Sequence, residues 1–87
     1  MKRKDGFIVR QIADQNVAVA VGETSRSFRG MIKLNDTGLM IWNLLEDEVT
    51  ENGIVAALTE RYDVDDETAR SDVRRFLDVL EEAGVLE

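Results

Sequence analysis

Eighty-seven residues with no Cys, no His and a net charge of −7 point to a single domain over residues 1–87 that has no disulfide, no thiolate metal site and none of the commonest general base. No apolar run approaches the roughly 18 residues of a membrane span, and Met1-Lys2-Arg3-Lys4 is followed by Asp5 and Gly6, not by the apolar core of a secretory signal. A cytoplasmic protein without a membrane partner is expected.

Phe7 to Ala13 is rich in strand formers, Asp14-Gln15-Asn16 is a turn cluster, and Val17 to Val21 alternates with every Val on one face, so the three segments read as a hairpin. Gly22 to Ser27 reads as a polar loop. Phe28 to Leu34 is predicted as a third strand with Phe28, Gly30, Ile32 and Leu34 on one face and Arg29, Met31 and Lys33 on the other. Gly30 inside it marks a bulge or a close approach to the backbone.

Three helices are predicted next. Asn35 caps the first, Asp36 places charge at its positive end, and Gly38, Ile41, Trp42 and Leu45 form one apolar stripe, which makes Trp42 a core anchor. Glu46 to Val49 connects to the second helix, capped by Thr50 with the stripe Ile54, Ala57, Leu58 and Tyr62. Asp65 caps the last and longest helix, about Asp66 to Ala83. Its Ala69, Val73, Phe76, Leu77 and Leu80 point inward and its Asp72, Arg75, Asp78 and Glu82 largely outward. Gly84 ends it as a left-handed cap with Val85-Leu86 folding back. The fold class is α+β: a three-stranded antiparallel sheet followed by three helices (βββααα), similar to a winged helix-turn-helix.

Several chemistries fail on the residues. The six glycines fit neither a dinucleotide nor a P-loop pattern. If Asp63 opened a calcium loop, Thr68 would stand where Gly is needed and Arg74 where Glu is needed. Ser25, Ser27 and Ser71 have no base to activate them. An acyl carrier would be all-helical with a Ser opening a helix, whereas Ser71 lies mid-helix. No catalytic residue, cofactor or metal is expected. DNA binding is opposed by charge: residues 1–34 carry seven basic and three acidic groups, and residues 35–87 four basic and fifteen acidic ones. The first turn of the last helix, Asp65-Asp66-Glu67, would face phosphates and repel them.

Gly30 to Gly38 running into Ile41 to Leu45 resembles the PqqD-like family of precursor-peptide recognition proteins. So do Thr50 with Ile54, Leu58 and Tyr62, the pairs Asp72-Val73 and Phe76-Leu77 with Leu80, and the terminal Gly84-Val85-Leu86. Two departures are the connector Glu46 to Val49, which lacks a Gly often found there, and Gly53 early in the second helix. The resemblance implies a non-catalytic peptide chaperone. Its third strand would take the leader of a ribosomally made precursor by strand addition, toward the last helix, and present it to a radical S-adenosylmethionine or other modifying enzyme.

The residues support part of this directly. A three-strand meander leaves residues 28–34 at an edge, with no Pro to block pairing. Phe28, Arg29, Gly30, Met31, Ile32, Lys33 and Leu34 are the expected peptide-binding strand. On the last helix, Arg70 and Arg74 beside Val73 and Leu77 would supply a basic rim and an apolar floor. The same residues admit a plainer reading, in which Arg29 and Lys33 guard the edge against aggregation and Arg70 and Arg74 pair with Glu67 and Asp78. A winged-helix regulator binding nucleic acid or a protein is the rival function, and a subunit that only packs on an enzyme is a third. A monomer or weak homodimer is expected, since the edge strand could pair with its own copy.

Overall fold

The computed structural model describes residues 1–28 and 30–87. In chain order the elements are β1 (Phe7–Ile12), β2 (Gln15–Ala20), α1 (Thr24–Ser27), β3 (Met31–Leu34), α2 (Asp36–Leu44), α3 (Glu51–Arg61) and α4 (Asp66–Glu82). The strands form an antiparallel sheet in the order β1-β2-β3, so β3 and β1 are its two edges.

The hairpin turns at Ala13 and Asp14, whose φ values of 48° and 68° give the doubly left-handed turn that matches strand twist. Gln15 and Asn16, expected in the turn, already belong to β2. The loop expected from Gly22 to Ser27 contains the single turn α1. The third strand starts at Met31, three residues later than expected, because Phe28 leaves α1 to pack inward; its ring meets Phe7 edge-on at 5.3 Å. Gly30 therefore precedes the strand and makes no bulge in it. Arg29 lies outside the described residues.

Each long helix starts where its cap is. The side chains of Asn35, Thr50 and Asp65 accept from the backbone N–H of Gly38, Gly53 and Thr68 at 2.8, 3.0 and 2.7 Å. Gly84, with φ of 75°, ends the last helix, and the N–H of Val85 reaches the Leu80 carbonyl at 3.0 Å. Helix α3 buries Ile54, Val55 and Leu58, so Val55 joins the stripe and Ala57 sits at its margin.

Ile32 and Leu34 from the sheet, Ile41, Trp42 and Leu45, and Val73, Leu77, Leu80 and Val85 form one apolar core with α3. Trp42 is 1% exposed, with Phe7 edge-on at 5.6 Å and the Arg3 guanidinium 4.9 Å from its ring centre. The strand β2 turns Ala18, not its valines, toward the helices: Ala18 pairs with Ile32 and shares its face, while Val17 and Val19 pair with Lys33 and Met31. The small residue lets the helical layer approach the sheet, and the bulk is left on the far side.

The first residues run along the helical layer as a strap. The N–H of Arg3 donates to the Leu45 carbonyl and that of Lys4 to Val85, at 2.9 and 2.7 Å, while Glu87 donates back to Lys2 at 2.8 Å. Arg3 and Leu86 form an antiparallel bridge.

Candidate functional site

A β-strand alternates its side chains between faces, and β3 does so sharply: Met31 and Lys33 are exposed, Ile32 and Leu34 buried. With β2 on one side, its other side leaves main-chain N–H and C=O groups without a strand partner among the described residues. Where β3 ends, Asn35 starts α2, and α4 crosses beside that junction.

Two adjoining hollows mark the crossing. One, of about 260 Å³, lies between α2 and α4 and is lined by Asn35, Thr37, Gly38, Ile41, Asp72, Arg75, Phe76 and Val79. The other, of about 480 Å³, runs from the hairpin turn past Lys33 and Leu34 to Asp36 and Phe76. Phe76 belongs to both and forms the wall between them. A methyl group at Gly38 would lie 3.4 Å from the Phe76 ring and 3.1 Å from the capping oxygen of Asn35, so glycine keeps α2 and α4 close here. Together these hollows form a groove with a half-buried aromatic at its centre and a mixed rim: Lys33 and Arg75 are its cations, Asp14, Asp36 and Asp72 its anions.

This corrects the expected helix contribution. Val73 and Leu77 are 0% exposed and belong to the core, so they cannot floor an open groove. Arg70 and Arg74 lie on the flank facing α3. Arg70 donates to Asn52 at 2.8 Å and sits 3.6 Å from Asp66, not from the expected Glu67. Arg74 bridges Glu51, Asp78 and Glu81 at 2.6, 2.9 and 3.0 Å, and those bonds, Asp78 first and Glu81 next, raise its already high pKa. The groove face of α4 is instead Asp72, Arg75, Phe76 and Val79, which follow at i, i+3, i+4 and i+7. The signal in the sequence was an aromatic beside a basic residue, Arg75-Phe76, with Val79 lying off the apolar stripe; in the structure Val79 is 49% exposed. Phe28 and Gly30 lie before β3, and Ile32 and Leu34 bring only main chain to the edge.

Among the described residues no group of Asp or Glu is placed to hold a metal ion, and none of the buried side chains is polar or charged. The other shifted group is Asp65, lowered by its hydrogen bonds to Thr68, backbone first, as a helix cap should be.

The sequence model of coenzyme PQQ synthesis protein D (PqqD) matches residues 23–86. The chain belongs to the PqqD family. That span holds α1, β3 and all three long helices, and so nearly all of the groove. The fold of the whole chain is shared with a solved structure of TbiB1 in complex with the TbiA(beta) leader peptide, at 32% identity and a TM-score of 0.76, over 100% of this chain and 95% of that one. No curated protein matches the chain by sequence. The α+β sheet-then-helices architecture read from the sequence is that of this neighbour.

Proposed function

We propose that this PqqD-family protein is a non-catalytic carrier of a ribosomally made precursor peptide. It binds the leader segment as a fourth strand along β3 and presents the tethered core to a separate modifying enzyme, a radical S-adenosylmethionine protein being the first candidate. The observation that carries the reading is the open edge of β3 leading into the Phe76 groove, in a chain whose fold matches a protein solved with a leader peptide.

Strand addition places affinity in main-chain bonds and specificity in side-chain pockets. Alternate residues of the four-residue β3 face the open edge, so about two N–H and two C=O groups are available there. Lys33 and Arg75 favour a leader with an acidic residue near its apolar anchor.

The test is calorimetric titration with the leader of the precursor encoded beside this protein. A Kd in the micromolar range or tighter is expected, about −8 kcal/mol or better. Met31→Pro opens no core, because Met31 is 56% exposed, yet it stiffens the strand and removes a donor. It should weaken the leader at least fivefold while circular dichroism shows a folded protein. A folded Met31→Pro that binds as the parent does would refute strand addition.

A further inference from the structure

We infer that the sheet face turned away from the helices is a docking surface for a protein with an apolar patch ringed by carboxylates, namely the modifying enzyme to which the leader is presented; this rests on the function proposed above. Ile8, Val19 and Met31 are direct partners across the three strands, so their side chains form one row. Ile32 and Leu34, at the alternate positions of β3, are buried against the helices, so the row points away from them. Ile8 is 39% and Met31 56% exposed, and Val21, one step further along the chain from β2, is 39% exposed. Large apolar side chains gathered on one open face mark an interaction site more often than scattered ones do.

The next row is Arg10, Val17 and Lys33. Val17 is only 2% exposed although it lies outside the main core cluster, and Arg10 and Lys33 are its direct neighbours across the strands. These two cations therefore border the apolar row Ile8-Val19-Met31. At its other end Arg26 lines a shallow hollow with Val19 and Met31. No residue of β1, β2 or β3 is acidic.

Charge selects the occupant. A second copy stacked across a two-fold axis would set Arg10 and Lys33 against Arg10 and Lys33, which disfavours self-pairing on this face. A carboxylate-rimmed apolar surface complements it. Position argues the same way: β3 gives Met31 to this face, carries Lys33 at the margin that face shares with the groove, and offers its main chain at the open edge. An enzyme seated here would therefore lie next to the bound leader, while Ile8 on β1 is about 14 Å, or three strand spacings, from the leader's strand.

The experiment titrates the purified modifying enzyme encoded beside this protein against the parent, Ile8→Glu, the milder Ile8→Ser, and Arg10→Glu. Leader affinity and circular dichroism are measured for each. Ile8→Glu and Arg10→Glu should weaken the enzyme tenfold or more and Ile8→Ser by less, with leader affinity within twofold of the parent. The Arg10→Glu loss should shrink as salt rises. Enzyme binding unchanged in the folded variants would overturn the inference. So would a parent that binds leader but not enzyme, an outcome that leaves the leader reading standing; failure of the parent to bind leader strikes that reading instead. Two further results would overturn it: light scattering that shows a dimer undone by Ile8→Glu, or variant-sensitive sedimentation with phosphatidylserine vesicles while the enzyme binds as before.

Discussion

Phe76 and Leu77 are neighbours on α4 with opposite fates, and truncating each separates groove from core. Leu77 is 0% exposed. Leu→Ala at such a site costs about 2–5 kcal/mol through lost transfer energy and the cavity left behind. A chain of this length has roughly 4–13 kcal/mol of stability in all. The melting midpoint of Leu77→Ala should fall by about 10 °C or more, and the fraction that stays folded should bind leader with the parent's Kd. Phe76 is half-buried between the two hollows. Full burial of a Phe contributes about 1.5–3 kcal/mol, so covering its open half with leader is worth about 1 kcal/mol, or fivefold in Kd. Phe76→Ala should lose that affinity and melt closer to the parent than Leu77→Ala does. Thermal denaturation followed by circular dichroism, with calorimetric titration at a temperature where both variants are folded, reads both quantities. If Leu77→Ala weakens the leader as much as Phe76→Ala, or if Phe76→Ala binds as well as the parent, the groove has been placed on the wrong face of α4.

Other expectations follow from single contacts. Arg75→Glu should weaken an acidic leader severalfold at low salt and less at high salt, whereas Arg74→Ala, which breaks only the bonds to Glu51, Asp78 and Glu81, should leave leader affinity unchanged in the same titration. Arg3→Ala removes the cation over Trp42 and the bond to its carbonyl at 3.1 Å; urea denaturation should show a loss of about 1–2 kcal/mol. The folded Asp65 titrates below its ordinary 3.8, so its cap stabilises the fold above that value and is lost as pH falls through the lower, folded one. Melting curves between pH 5 and 2 should show a smaller acid-induced loss in Asp65→Ala than in the parent. Duplex DNA should not bind at physiological salt; a mobility shift at sub-micromolar protein that survives added salt would count against the charge argument.

The helix starts were legible because Asn35, Thr50 and Asp65 each solve a local problem, the orphan N–H groups of a first turn, and local chemistry is written in order along the chain. Gly84 was legible for the same reason. The faces were harder. Alternation in Val17 to Val21 shows that the valines share a side but not which side, and the packing gives the inner one to Ala18, which is fully buried in the core beside Ile32. On α4 the apolar stripe was correct, yet the same residues were also assigned to an open groove. Val73 and Leu77 cannot serve both, since a thin core consumes them entirely. Phe76 was read as simply inward; its partial exposure depends on the angle at which α2, β3 and α4 meet, which no periodicity encodes.

The strap that joins residues 2–4 to Leu45, Val85 and Glu87 has a consequence for how the chain comes together during synthesis. The β1–β2 hairpin is built of neighbours and can form early. Some of the bonds that hold its leading end reach α2 and the following loop at Trp42, Leu45 and Val49, and the rest need residues more than eighty positions later. While the chain lacks those last residues, that end is held only by the bonds to Trp42, Leu45 and Val49, and Phe7 and Trp42 are ready to meet before the strap closes fully. The strap over residues 2–4 is therefore fully closed only when residues 85–87 are in place, so early-made residues are among the last to be secured.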